Sequence, residues 1–281
     1  MRVCSQHAPA PRSGAPVSDL RLNCAIEGIL LATLMIVVSL IGIALNAGFA
    51  FDRAWDPIVK RLVAGCLVAL ATIVFVYSPL GRKSGAHINP AISLAFFYLK
   101  KMERNEFFGY VAAQFLGAAL GISIAALLWG STLRAPSIRY AATTPGQPGS
   151  LAALGAEAGI SFLLMTIVLR SNQTTRLAPF TGIFVGIFSA LSITLVSPIS
   201  GSSANPARTF GSDIFAMAWQ TYWVYAIGPT AGMVTAAALF KFSGARTQCA
   251  KLVHDNKPCA FAKCDYRMRS LNDRMGLRKP P

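Results

Sequence analysis

SGAHINPA at residues 84–91 and SGSSANPA at residues 200–207 lie 116 residues apart and share the frame Ser-Gly-x-x-x-Asn-Pro-Ala. Asn is a strong helix N-cap and Pro is favoured at the first helical position, so each Asn-Pro-Ala marks a helix start. The apolar pieces that follow, 89–99 and 205–216, are too short to cross a bilayer. Eleven helical residues rise about 16 Å, half of a hydrocarbon core of roughly 30 Å. Short interrupted segments at matching places in two halves point to a site at mid-depth in a membrane.

The rest of the chain agrees. Of its 281 residues 54% are hydrophobic and only 13% are charged, about half the roughly 25% of a soluble domain. That excludes a soluble globule, a disordered chain, a collagen and a coiled coil. Six runs reach spanning length: 24–50 (despite Glu27), 58–80, 107–130, 151–169, 177–199 and 222–242. Glu27 in the first run is echoed by Glu157 in the fourth, and Gln114-x-x-Gly117 by Pro229-x-x-Gly232. Three spans per half is an odd number, so the second copy inserts upside down. The expected fold is an all-α membrane protein of six transmembrane helices plus two re-entrant half-helices, built as an inverted repeat. Its parts are a disordered N-terminal segment 1–23, a channel domain 24–242 with repeats of about 24–130 and 151–242, and a basic tail 243–281.

The net charge is +15, and charge sets the orientation. Twenty Lys and Arg fall on the side of the termini and six on the other, which puts both termini in the cytoplasm. A plasma membrane or a bacterial inner membrane is the expected location. Residues 241–281 carry ten of these cations against Asp255, Asp265 and Asp273, which suits an anionic leaflet. No nucleic-acid module accompanies the charge, so nucleic acid is not expected as a partner. Residues 1–22 lack the apolar stretch of a cleavable signal peptide. The six cysteines do not pair by position, and cytoplasmic thiols stay reduced.

Inverted symmetry brings the two helix starts together from opposite faces, each with a positive dipole end and unsatisfied N–H groups. The amides of Asn89 and Asn205 can then donate into a pore that welcomes a neutral hydroxylic solute and repels a cation. Arg208 is a charge at membrane depth, where such a group lines water or a functional site unless it snorkels to the interface. Glu27 and Glu157 offer a proton relay or a structural role. His87, two residues before Asn89, is expected to fix loop and pore wall. Cys249, His254, Cys259 and Cys264 carry soft-metal donors. A five-residue step turns about 140° on a helix and scatters them, and Pro258 breaks the helix. The expectation is a solvated, disordered tail with no metal site, and no cofactor is expected anywhere.

The paired motifs resemble those of the aquaporin, or major intrinsic protein, family, and the resemblance runs from Cys24 to about Phe242. It implies one pore per protomer, usually in a homotetramer within the lipid bilayer. Asn89, Pro90, Ala91, Asn205, Pro206 and Ala207 would form the central constriction. Arg208 would be the filter arginine, and the two glutamates would hold the re-entrant loops through hydrogen bonds. An ungapped count from the motifs puts the four filter positions at Ala69, Ile193, Ser202 and Arg208. Water-selective members carry an aromatic, a His and a small polar residue beside the Arg. Glycerol facilitators carry Trp, Gly and Phe, usually with Asp after the Arg, where Thr209 stands here. The set in this chain is similar to that of plant nodulin-26-like channels, associated with boric acid and other small uncharged solutes. Asp213 departs from the small residue usual at its place.

These observations point to a passive channel, not an enzyme. It would pass water and small neutral solutes, with room for glycerol, urea or boric acid, and exclude protons and ions. Two alternatives remain at this stage: a strictly water-selective channel and an ion-coupled secondary transporter. The transporter would carry further acidic or polar groups in its pore helices. A hydrolase would need a Ser–His pair, for which His87 with Ser84 or Ser93 is the candidate. A purely adhesive role leaves the paired motifs without purpose.

Overall fold

The structure, a computed structural model, describes residues 17–46, 55–174, 176–254, 259, 261 and 263–265. Among these residues it is all helical. The order is α1 (Val17–Asn46), α2 (Pro57–Tyr77), α3 (Pro79–Ser84), α4 (Pro90–Tyr98), α5 (Arg104–Arg134), α6 (Gly149–Gln173), α7 (Thr181–Ser200), α8 (Pro206–Ala216) and α9 (Tyr222–Phe242). The six long helices are apolar enough to cross a membrane. Their outward faces carry exposed side chains such as Leu116, Leu127, Leu128 and Leu151, as a lipid-facing surface requires.

The helices start where the chain offers caps. Asp56 accepts the Ile58 N–H at 2.8 Å and Pro57 fills the first position. Glu103 and Glu106 form a reciprocal capping box at the start of α5, satisfying donors that the first turn leaves unpaired. Two glycines let backbones meet. A Cβ on Gly117 would collide with the Gly28 backbone, and one on Gly232 with the Ala158 carbonyl. These contacts join α1 to α5 and α6 to α9, so each half closes through the same pair of its own helices.

The halves differ in the helix that precedes each Asn-Pro-Ala loop. In the second, α7 runs unbroken through Pro198 to Ser200. In the first, α2 stops at Tyr77, and Ser78 caps a new short helix by accepting the Gly81 N–H at 2.9 Å. The expected span 58–80 is therefore two helices. The first helix also starts earlier than expected: residues 17–23, assigned above to the disordered segment, are its opening turns. Residues 1–16 and 47–50 lie outside the described residues.

The tail corrects a second expectation. Cys249, Ala250, Lys251, Leu252, Phe261 and Cys264 are buried, not solvated. Leu252 N–H donates to the Gly85 carbonyl at 3.1 Å and Lys251 Nζ to the Arg82 carbonyl at 2.5 Å. Lys101 pairs with Asp265 at 3.0 Å. The helical-angle argument failed because residues 245–254 form no helix, so sequence spacing there fixes no angle. Pro258, used in that argument, lies outside the described residues. Burial, followed by hydrogen bonding with Cys259 and Cys264, pushes the Cys249 thiol well above its usual value. As a free thiol it is neutral and inert.

Candidate functional site: a pore closed by two asparagine caps

Each half builds its loop with the same bonds. Glu27 accepts from Ser84 Oγ at 2.7 Å, His87 N at 3.1 Å, Ile88 N at 2.6 Å and Gln114 Nε2 at 3.0 Å. Glu157 accepts from Ser200 Oγ at 2.7 Å, Ser203 N at 2.9 Å and Ala204 N at 2.6 Å. Tyr110 and Tyr225 each donate to the serine carbonyl of their loop at 2.7 Å. The two sets differ where Gln114, a donor to Glu27, gives way to Pro229, which has no side-chain donor. Both carboxylates are fully buried, and both have their oxygens occupied by loop donors. That is the bonding of a brace.

The loops need this bracing because their backbones are strained. Gly85 and Gly201 take left-handed φ of 104° and 78°. So do Ala86 and Ser202 at 54° and 53°, and Ile88 and Ala204 at 50° and 49°. Left-handed geometry at a residue with a Cβ costs of order 1–3 kcal/mol and persists only where its surroundings hold it. The result turns the Ile88 and Ala204 carbonyls toward the opposite loop. Asn205 Nδ2 donates to the Ile88 carbonyl at 2.8 Å and Asn89 Nδ2 to the Ala204 carbonyl at 2.7 Å. Each Oδ1 meanwhile caps its own half-helix, on Ala91 N at 2.9 Å and on Ala207 N at 3.1 Å. An amide nitrogen has two N–H groups, so each Asn keeps one for the space between.

That space is a cavity of about 350 Å³. Asn89 and Asn205 line it with Ile193, Ser202 and Arg208. Ala69 does not. The lining residues of α2 are Ala64, Val68, Thr72 and Val76, one helical stripe. Ala69 is buried against α7, where its carbonyl faces Gly186. Neighbouring helical residues point about 100° apart, and an ungapped count ignores the helix break at Ser78 and Pro79. Val68 therefore replaces Ala69 at the cavity wall.

Arg208 Nη1 is buried without a hydrogen-bond partner among the described residues. Asp213 is buried as well, within electrostatic reach of Arg208 and of Arg139 from the loop after α5. Neither oxygen of that carboxylate has a hydrogen-bond partner among the described residues, so the two guanidiniums act on it through space. Thr209 has its own task. Its Oγ1 meets Thr143 Oγ1 at 2.8 Å, pinning the loop between α5 and α6 onto α8, and Ser203 Oγ at 2.6 Å. Thr143 also lines the cavity, and no spacing in the sequence marked it.

His87 sits at the opposite end. It is 2% exposed and stacks between Phe96 and Phe261, with ring centroids 5.1 and 5.9 Å away. Its Nε2 lies 2.7 Å from the Ala250 carbonyl, which can only accept, so Nε2 carries hydrogen. Its Nδ1 meets Ser93 Oγ at 2.9 Å. Ser93 is fully buried and is not a cavity-lining residue. Of the Ser–His pairings weighed above, His87 lines the cavity but neither Ser84 nor Ser93 does.

Comparison with known proteins gives a consistent picture. The family model described as major intrinsic protein matches residues 21–240. An aquaporin AqpM of Methanothermobacter marburgensis is 38% identical over 63% of this chain and 75% of its own length. Aquaporin NIP1-1 of Oryza sativa is 33% identical over 72% of this chain and 68% of its own. The X-ray structure of the aquaglyceroporin from Plasmodium falciparum aligns with a TM-score of 0.63 at 19% identity, covering 79% of this chain and 95% of the other.

Proposed function

The chain belongs to the major intrinsic protein family of channels, and on that premise we propose that it conducts water and small uncharged solutes passively, wider than a strictly water-selective pore. The observation that carries this reading is the pair of amides at Asn89 and Asn205. Asn89 is held by two bonds and Asn205 by three, and each keeps one N–H for a passing oxygen. Both stand at helix N-termini, whose dipoles repel a cation and favour an oxygen acceptor. Arg208 adds a fixed positive charge to the cavity wall.

Selectivity follows from what surrounds Arg208. Val68, Ile193 and Ser202 replace the Ala69-based set, and none of them is aromatic. Two apolar walls and two donors suit a compact polyhydroxylated solute with one bare face, such as glycerol or boric acid. The likeness to a plant NIP-type aquaporin points the same way. A coupled transporter is disfavoured because the intramembrane carboxylates Glu27 and Glu157 are consumed by loop donors. We further propose a homotetramer with cytoplasmic termini, given the apolar outer faces and the twenty-to-six basic asymmetry.

The deciding experiment is stopped-flow light scattering of proteoliposomes challenged with glycerol, urea and boric acid, alongside water. Solute-driven reswelling well above protein-free vesicles is expected for at least glycerol or boric acid. Val68→Phe with Ile193→His should abolish it and spare water. A wild-type chain that passes water alone would return this pore to the water-selective group.

A further inference from the structure

Cys249, His254, Cys259 and Cys264 converge in the tail, and their ligand atoms all lie within 4.8 Å of one another. Cys249 Sγ stands 3.5 Å from Cys259 Sγ, and Cys264 Sγ 3.4 Å from His254 Nε2. Around a tetrahedral ion, with bonds of roughly 2.0–2.3 Å, such donors sit roughly 3.4–3.8 Å apart. The cluster is close to that size before any ion draws it in. Its three thiols are buried and unbridged. Three sulfurs and an imidazole are soft donors that select zinc over calcium or magnesium, in the Cys3His set of structural zinc sites.

Charge supports the same ligand. Three thiolates around a dication leave a net negative charge, which a buried site must balance. Lys251 is buried in the same segment, within electrostatic reach of Cys259, and its ammonium donates to the Arg82 carbonyl.

We propose that these four side chains bind one zinc-class ion, and that the ion knots the tail into a cap over the His87 end of the pore. The cap reaches the conducting space itself. Leu252 lines the cavity beside His87, Ala250 accepts from His87 Nε2, and Phe261 stacks on the same ring. A segment without helix cannot easily offset the entropy of ordering its residues. A metal cross-link supplies that stabilisation, as it does in small metal-dependent folds. Loaded with metal, the cap narrows the mouth. Stripped, it loosens and Leu252 withdraws. The gating half rests on the channel reading above; metal binding does not.

The test uses the full-length chain. Purified without chelator, it should carry about one zinc per chain by elemental analysis, with three sulfur and one nitrogen neighbours at the zinc absorption edge. Cys249→Ser with Cys264→Ser should hold less than about a tenth of that. Wild type stripped by chelator in detergent and reconstituted should pass water several-fold faster than the same preparation reloaded with zinc. The double variant should ignore zinc. Stripped and reloaded wild type are one polypeptide, so a folding defect in the variant does not blur the answer. No zinc uptake at micromolar free metal, or a Cys249–Cys259 disulfide in its place, overturns the site. Equal flux in both states, above protein-free vesicles, overturns the cap and leaves the channel standing. Flux at the protein-free level in both states overturns channel and cap together, while stoichiometry still decides the metal site.

Discussion

Arg208 lines the cavity, and Asp213 and Glu157 are the anions within its electrostatic reach. A unit charge meeting another at about 4 Å feels roughly 4 kcal/mol at the effective dielectric of a protein surface. Even part of that barrier is worth about tenfold or more in cation leakage, since 1.36 kcal/mol is a factor of ten. Arg208→Val is therefore expected to raise proton or sodium conductance at least tenfold while neutral-solute flux continues. Voltage-clamped bilayers check this, and an unchanged conductance would assign ion exclusion to the half-helix dipoles alone. Asn205→Asp should act in the same direction, because a carboxylate at the dipole ends neutralises them.

At the scale of elements, the braces matter more than the helices they brace. Glu157→Gln replaces an acceptor with an amide that turns an N–H toward donors. Bonds to a charged group contribute about 1.5–3 kcal/mol each, and three are disturbed. A loss of at least about 3 kcal/mol is expected, read as a lower aggregation temperature in detergent. Glu27→Gln should cost as much or more, with four donors affected. Elements of this kind were legible in the sequence. Asn-Pro-Ala declared two helix starts, and both half-helices begin at the proline. Six apolar runs gave six long helices, and the Glu27–Glu157 echo gave two matching braces that differ by one donor. Two features were not legible. Ala69 was misplaced because counting along a helix presumes continuity, and the serine cap at Ser78 breaks it without any change in hydropathy. The tail cluster was hidden because helical spacing says nothing about a turned coil that packs against a distant loop.

For the whole molecule, burial changes how orientation must be tested. Labelling the native tail cysteines would report packing, since Cys249, Cys259 and Cys264 are enclosed. Exposed positions serve better: Gln147 lies in the loop before α6 and Ser243 just after α9. Gln147→Cys should react with an impermeant maleimide on intact cells and Ser243→Cys should not; the reverse pattern would invert the topology. The reciprocal Asn bonds have a consequence for how this molecule is made. Asn89 needs the Ala204 carbonyl and Asn205 needs the Ile88 carbonyl, so neither half can finish its own centre. The ribosome must add 115 residues after Asn89 to reach Ala204, its partner. At about 5–20 residues per second that is a wait of roughly 6–23 s. Through that interval the nascent first half holds a polar amide and an unmet carbonyl at the heart of an apolar bundle, so the insertion machinery, or a trapped water, has to shelter them until translation brings the second half.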